Sequence, residues 1–447
     1  MALRTARRRE APAAGDPVAG VRIRIARQWR PLADAAGLDG GRAAAVVVGL
    51  DCVTGLQSAR ILARRGVPVI GVAADTTHFC THTRVVRGLV DAPTSGPGLI
   101  EALRALGPTL GRKAVLFPCT DASVLTIARQ REQLEPWYHV VLPETAVLGS
   151  LMDKVQFLEV AERCGVPVPA TRVLRERADA ERAADELPFP CILKPALKTP
   201  VWEEHSPAKV HRADTPGELL RLYDAYARFA PLLIAQQWID GGDDTLFSCN
   251  CYYDRDARAV CSFVARKLRQ WPPRTGTSSL GEEVRNDTVR DITLRMFDQV
   301  GFRGLGYLEV KRDPRTGAHF AIEANPGRPT GRSAIAEAGG VELLYAMYCE
   351  TLGLPLPAGL EQRYVGAKWI YLRQDIRSAF YYWRRGELSL RDWASSMRGR
   401  KVDAVLSWSD PGPFLADIGN LALTMVRRSR AGDAHAGGTA ASPATVR

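Results

Sequence analysis

Apolar and polar positions follow two rhythms in this chain, and the change of rhythm divides it. From Ala43 the text reads "AAAVVVGLDCVTGLQSARILARRGVPVIGVAAD". An unbroken apolar run, a glycine-bearing turn, a helix-spaced stretch and a second apolar run predict a βαβ unit. "AVLFPCTDASVLTIARQREQL" followed by "HVVLPE" repeats the rhythm, so residues 43–150 are expected to form an open parallel sheet. The first turn holds Gly49 and Gly55 but not Gly-x-Gly-x-x-Gly, so no dinucleotide site is assigned. Asp121 follows the strand "VLFPCT", where open sheets place ligands; a helix cap is an equal reading.

The rhythm changes at "LMDKVQFLEVAERCGVPVPAT". Val155, Leu158 and Ala161 share a helix face, Gly165 ends the helix, and Pro167 and Pro169 force an extended exit. "PFPCILKPALKTP" is a short strand ending on Lys194, and "PLLIAQQWIDGGDDTLFSCNCYYD" is strand, turn and alternating strand. "AVCSFVARKLRQWPP" predicts a strand running into a basic loop. "GYLEVKRDPRTGAHFAIEAN" predicts a β-hairpin turning at Asp313-Pro314-Arg315-Thr316-Gly317. From Val365 the pattern predicts paired amphipathic helices around a Pro-rich turn, a surface for the substrate side or for a homodimer.

Composition narrows the class. The 447 residues are 46% hydrophobic and 24% charged, enough for two to four packed units. No apolar run reaches the roughly 18 residues of a membrane span, and the arginine-rich start lacks a signal peptide's apolar core. A soluble cytoplasmic protein without stable membrane insertion is expected. Nine cysteines lack zinc-site spacing and read as buried thiols; His78 and His82 read as loop or packing residues. The net charge of +11 sits mostly at the ends: residues 1–42 carry +5 and residues 427–447 carry +3. Both ends are expected to be disordered, and no nucleic-acid motif accompanies the charge.

The chemistry is written in "FAIEANPGRPTGR". Glu323 and Asn325 share a strand face, and the hairpin brings Glu309 roughly opposite Ile322 and Glu323. Carboxylates gathered in this way repel without a cation, whereas Mg²⁺ takes them together with phosphate oxygens. A magnesium nucleotide site follows.

The motifs "DKVQF…GVPVPAT", "ILKP", "IAQQWIDGGDD" and "LEVKRD…IEANPGR", in that order, resemble the ATP-grasp superfamily over about residues 43–350. The likeness is to its carboxylate-amine ligases, such as D-aspartate ligase-like and carbamoyl-phosphate-synthase-like proteins. It implies an α/β plus α+β chain in which an N-terminal open parallel sheet (pre-ATP-grasp) domain precedes a two-subdomain ATP-grasp fold. The expected division is a disordered arm (1–42), the N-terminal α/β domain (43–150), a small subdomain (151–235), a large subdomain with the metal site (236–355), a C-terminal helical extension (356–426) and a disordered tail (427–447). ATP and Mg²⁺, with Mn²⁺ as a substitute, are the implied cofactors.

The resemblance assigns Lys154 and Lys194 to the ATP phosphates. Gln236, Gln237, Trp238 and Ile239 become a hinge whose free edge-strand amides read adenine, and Asp243 or Asp244 holds the ribose. Glu309, Glu323 and Asn325 become metal ligands. Arg266, Lys267 and Arg269 of the basic loop, read as a lid, grip an anion. Two departures stand out. "ALKTPVWEEHSPAK" replaces the glycine-rich phosphate-covering loop, with Lys198, His205 and Lys209 as substitutes, and Asn-Pro-Gly-Arg moves the terminal guanidinium to Arg328. The implied reaction activates a small-molecule carboxylate as an acyl phosphate and joins it to an amine; lysines, arginines and metal suffice without a nucleophilic Ser or Cys, and which arginine meets the transferring phosphoryl group stays open. Bicarbonate activation and a catalytically silent ATP-binding module are the alternatives.

Overall fold

The computed structural model describes residues 21–25, 28–31, 41–197, 199–206, 208 and 210–421. Strands β1 (Arg22–Ile25) and β2 (Gln28–Pro31) form an antiparallel hairpin. Beyond it come β3 (Ala45–Val48), β4 (Val69–Ala73), β5 (Gly88–Asp91), β6 (Ala114–Pro118) and β7 (Tyr138–His139). Together they make one sheet of order β2-β1-β5-β4-β3-β6-β7, parallel from β5 to β7. β3 is buried throughout, as four consecutive apolar residues require of a strand covered on both faces. A Cβ on Gly55 would stand 2.2 Å from the Gly49 carbonyl oxygen. The glycine therefore serves the close approach of helix Val53–Arg64 to the strand end.

The hairpin corrects the expectation of a disordered arm. In "RIRI" the alternation buries Ile23 in the first core and turns the arginines outward, which is enough to dock the strand on β5. Residues 1–20, 26, 27 and 32–40 of that arm, and the tail 427–447, lie outside the described residues.

A small sheet holds β8 (Thr171–Leu174), β9 (Cys191–Pro195), β10 (His211–Ala213) and β11 (Leu233–Gln237), all antiparallel in the order β10-β9-β11-β8. It has its own core, which includes Trp202 and helices Arg177–Glu186 and Pro216–Tyr226. Helix Lys154–Arg163, grouped by sequence with this unit, packs instead on the large sheet through Phe157, Val160 and Ala161.

The large sheet comprises β12 (Leu246–Tyr253), β13 (Ala259–Trp271), β14 (Thr277–Glu283), β15 (Gly304–Arg312), β16 (His319–Pro326), β17 (Lys368–Ile370) and β18 (Lys401–Asp403). Its order is β16-β15-β12-β13-β14-β17-β18. The predicted hairpin is β15–β16, closed by Gly317 at φ 75°. Two expectations change. The basic lid loop is strand, because β13 continues through Arg266, Lys267 and Arg269 and pairs with β14 across a bulge. The C-terminal extension is not helical alone: β17 pairs with β14 and β18 runs parallel to β17. Trp369 and Tyr371 join a core shared by the first sheet and the large sheet.

Candidate active site

Between the small and large sheets lies a cleft of about 930 Å³. Its floor reaches the first sheet where β4 and β6 flank β3, the switch point at which open α/β sheets take ligands. Thr54 and Asp121 line it from there.

One wall is cationic. β9 buries Cys191 and Leu193 and leaves Lys194 half-buried at its end. The Lys194 ammonium donates to Gln236 Oε1 at 2.8 Å, and Gln236 Nε2 donates to Thr171 at 2.9 Å. Lys154 opens its helix and donates to the Ala196 carbonyl at 2.7 Å. Both ammonium groups are thus tethered at the same rim, and both residues line the cleft.

The opposite wall is the hairpin. Glu309 pairs directly with Glu323 and Tyr307 with Asn325, so all four share the cleft face. Lys267 Nζ stands 3.3 Å from Glu309 Oε2. Arg328 ties the end of the hairpin together. It donates to Asp121, to the Tyr307 hydroxyl at 2.9 Å and to Asn325 Oδ1 at 2.5 Å. Burial alone would lower the Arg328 pKa, but Tyr307 and Asp121 outweigh it and hold the guanidinium above its ordinary value. Burial pushes the Tyr307 phenol up to about 12.

Hard oxygens from Glu309 and Glu323 on one surface fit a divalent cation. The Asn325 oxygen accepts from Arg328, so it joins them only by giving up that bond, and its buried Nδ2 has no hydrogen-bond partner among the described residues.

Other expected residues stand elsewhere. Asp243 is buried, accepting from the Gln270 N–H at 3.0 Å, Gln270 Nε2 at 2.7 Å and the Tyr382 hydroxyl at 2.7 Å. It braces strands and does not line the cleft, nor does exposed Asp244. Arg266 pairs with Glu282 at 2.5 Å, off the cleft, and Arg269 is buried against Asp375. β11 is an interior strand: the Gln237 and Trp238 N–H groups are already taken by the Ala170 and Pro190 carbonyls. His205 stacks on Phe229 at 4.1 Å away from the cleft, and Lys198 and Lys209 lie outside the described residues.

Several lining residues were not picked out from sequence. Tyr307 and Lys311 sit two positions either side of Glu309, so strand parity was the available signal. Lys311 lies 5.5 Å from the Trp238 ring, and burial lowers its pKa. Arg332 is buried with hydroxyl partners, Ser248 at 3.1 Å and Ser278 at 3.4 Å, and burial lowers its pKa against the pull of Glu309. A Cβ on Gly281 would meet Arg332 Nη1 at 3.3 Å, so glycine makes room for the guanidinium. Trp369, Tyr371 and Gln374 enter from the C-terminal extension, and nothing local announces them.

No family profile matches the chain. D-alanine–D-alanine ligase B of Pseudomonas putida is 28% identical over 187 residues, 39% of this chain and 54% of the relative. D-aspartate ligase of Enterococcus faecium is 25% identical over 228 residues, 48% of this chain and 53% of the relative. The chain therefore spans about half the length of these curated relatives. N5-carboxyaminoimidazole synthetase from Staphylococcus aureus superposes with a TM-score of 0.54 at 14% identity, covering 72% of this chain and 79% of that one. A biotin carboxylase complex with β-γ-ATP from Campylobacter jejuni gives 0.56 at 15%, covering 71% and 72%. The fold is that of the ATP-grasp proteins.

The MgADP and bicarbonate complex of the 2-oxoglutarate carboxylase biotin carboxylase domain from Hydrogenobacter thermophilus shares this ATP-grasp fold, with a TM-score of 0.55 at 16% identity over 71% of each chain. Within the ATP-grasp frame of the present chain, four cleft residues each hold a buried side-chain atom without a hydrogen-bond partner among the described residues: Asn325 Nδ2, Gln270 Oε1, Trp369 Nε1 and Gln374 Oε1. Leaving such groups unmet costs stability.

Proposed function

We propose that this chain is an ATP-dependent ligase that joins a small-molecule carboxylate to an amine. One observation carries the reading: Lys154 and Lys194 on one wall of the cleft face Glu309 and Glu323 on the other. A polyanion that also brings a divalent cation matches both walls, and a nucleoside triphosphate is such a ligand. The names of the two sequence relatives support an amide-forming reaction.

In this reading Lys194 and Lys154 hold the phosphates, and Gln236 orients Lys194. The Ile239 N–H, without a hydrogen-bond partner among the described residues, is the hinge amide open to the base, with Trp238 beside it. Glu309 and Glu323, joined by Asn325, would hold Mg²⁺, which when bound offsets charge on the phosphates. A carboxylate oxygen of the first substrate attacks the γ-phosphorus, the bond to ADP breaks, and an acyl phosphate results. Arg328 and Arg332 face the charge on the transferring group and the carboxylate. The amine then adds to the acyl carbon, loses a proton, and phosphate leaves.

The test is phosphate and ADP release by purified protein with ATP and Mg²⁺ against libraries of carboxylates and amines. Release that needs one of each is expected, with an amide product by mass. Turnover with bicarbonate and no amino acid would instead support carboxyphosphate chemistry, and no turnover with any pair would support a silent nucleotide-binding module.

A further inference from the structure

The C-terminal extension carries a surface that the cleft does not use. Helix Leu372–Arg384 turns Asp375, Ser378, Ala379 and Tyr382 inward. Leu372, Ile376, Phe380 and Trp383, spaced four, four and three residues apart, form one stripe on its outer side, and Phe380 is 55% exposed. Arg377 and Arg384 each follow the stripe by one residue and are exposed, making a cationic border beside it. The only acid of this helix, Asp375, is buried against Arg269. Residues 412–421 form a second helix, held to the first by the Arg373–Asp417 ion pair at 3.2 Å. That helix exposes Leu415 and Ile418, and Trp408 just before it is 90% exposed.

We propose that this face docks the protein on an anionic lipid surface. A continuous apolar stripe bordered by arginines, with exposed tryptophans, has the chemistry of a helix lying in a bilayer interface: apolar groups enter the acyl boundary while guanidinium groups meet the phosphates. Charge argues against the other occupants. An isologous pairing of two copies would bring their arginine borders together with no exposed acid on this helix to receive them. The C-terminal tail is itself cationic, since residues 427–447 carry four Arg and one Asp. No helix among the described residues is long and apolar enough to cross a membrane, so the association is peripheral.

The experiment uses the full chain with sedimented vesicles of phosphatidylcholine, with and without phosphatidylglycerol. Binding is expected only to the anionic vesicles and is expected to weaken with added salt. Phe380→Glu with Trp383→Glu removes the apolar stripe and should lower partitioning at least about tenfold. Arg377→Ser with Arg384→Ser should do likewise, about fivefold per charge. All four sites are exposed, and circular dichroism checks that both variants fold. Three results overturn the proposal: no binding to anionic vesicles, unchanged binding by Phe380→Glu/Trp383→Glu, which would assign the attraction to the basic ends, or a vesicle-free dimer that this variant dissociates, which would assign the face to a second copy.

Discussion

Glu309 and Glu323 face each other across one hairpin, yet their surroundings differ, and so should their mutants. Glu323 is exposed, whereas Glu309 holds buried Lys267. Each change to Gln is expected to lower phosphate release by at least about a hundredfold, the scale of losing one charge-stabilising group. Only Glu309→Gln should also destabilise the ligand-free protein, by about 1–3 kcal/mol, because it strips the carboxylate from a buried ammonium. Turnover over a magnesium titration, with parallel melting curves, checks both. Lys194→Met should weaken nucleotide binding and turnover while the fold stands, since Lys194 sits at a half-buried rim; calorimetric ATP titration of the folded variant decides it. Glu337 predicts a pH dependence. It shares half-exposed Arg65 with Glu342, and burial pushes its pKa from 4.5 up to about 7. The folded state holds this proton where the unfolded chain has released it, so the stabilisation is complete below about pH 4.5 and lost as pH rises through about 7. Melting temperatures at pH 5 and 8 should converge in Glu337→Gln, removing a difference on the order of 1–3 kcal/mol.

At the scale of elements, strand β13 explains why the basic stretch is rigid. Its Arg269 makes a two-pronged bond to Asp375, at 2.8 and 2.9 Å, and Asp375 also accepts from Trp393 at 3.0 Å. One carboxylate thus joins the large sheet to helices Leu372–Arg384 and Leu390–Ser396. Asp375→Asn leaves the guanidinium buried without its charge partner and is expected to cost about 3–5 kcal/mol. Because Trp369, Tyr371 and Gln374 belong to the same extension, the loss should appear as weaker substrate binding as well as a lower melting temperature. Urea unfolding together with KM for the second substrate measures the two effects.

Across the whole molecule, the first and large sheets share one core. The core that includes Val47, Phe117, Phe263 and Trp369 runs from the first sheet through the large sheet to the extension, so the switch-point residues and the hairpin are held in one frame. The small sheet has a separate core. The β1–β2 hairpin belongs to the first sheet. Ile23→Ala should cost about 2–5 kcal/mol, and deletion of residues 1–31 should lower the melting temperature measurably. An unchanged melting curve would mean that the edge strand adds nothing to stability.

Strands β3, β4, β6, β9, β11, β12, β15 and β16 were legible because each carries a local rhythm, and so was the hairpin turn, whose Asp-Pro-Arg-Thr-Gly text admits few conformations, whereas β5, β8, β10 and β14 were not read. Glu309 and Glu323 were readable as facing charges on the hairpin, whereas Lys154 and Lys194 were assigned through the family resemblance; all four line the cleft. What sequence could not decide were pairings between distant segments. Asp243 belongs to Gln270 and Tyr382, Arg269 to Asp375, and Trp369 pairs with Gly281 beside Arg332. Local text states that a side chain is charged, but only the fold states whether its partner is the protein or a ligand. The sequence by itself therefore determined the hairpin, most of the strands with strong local rhythm and the facing of Glu309 and Glu323. Tertiary structure decided which charges are already neutralised, because that depends on contacts up to more than a hundred residues apart.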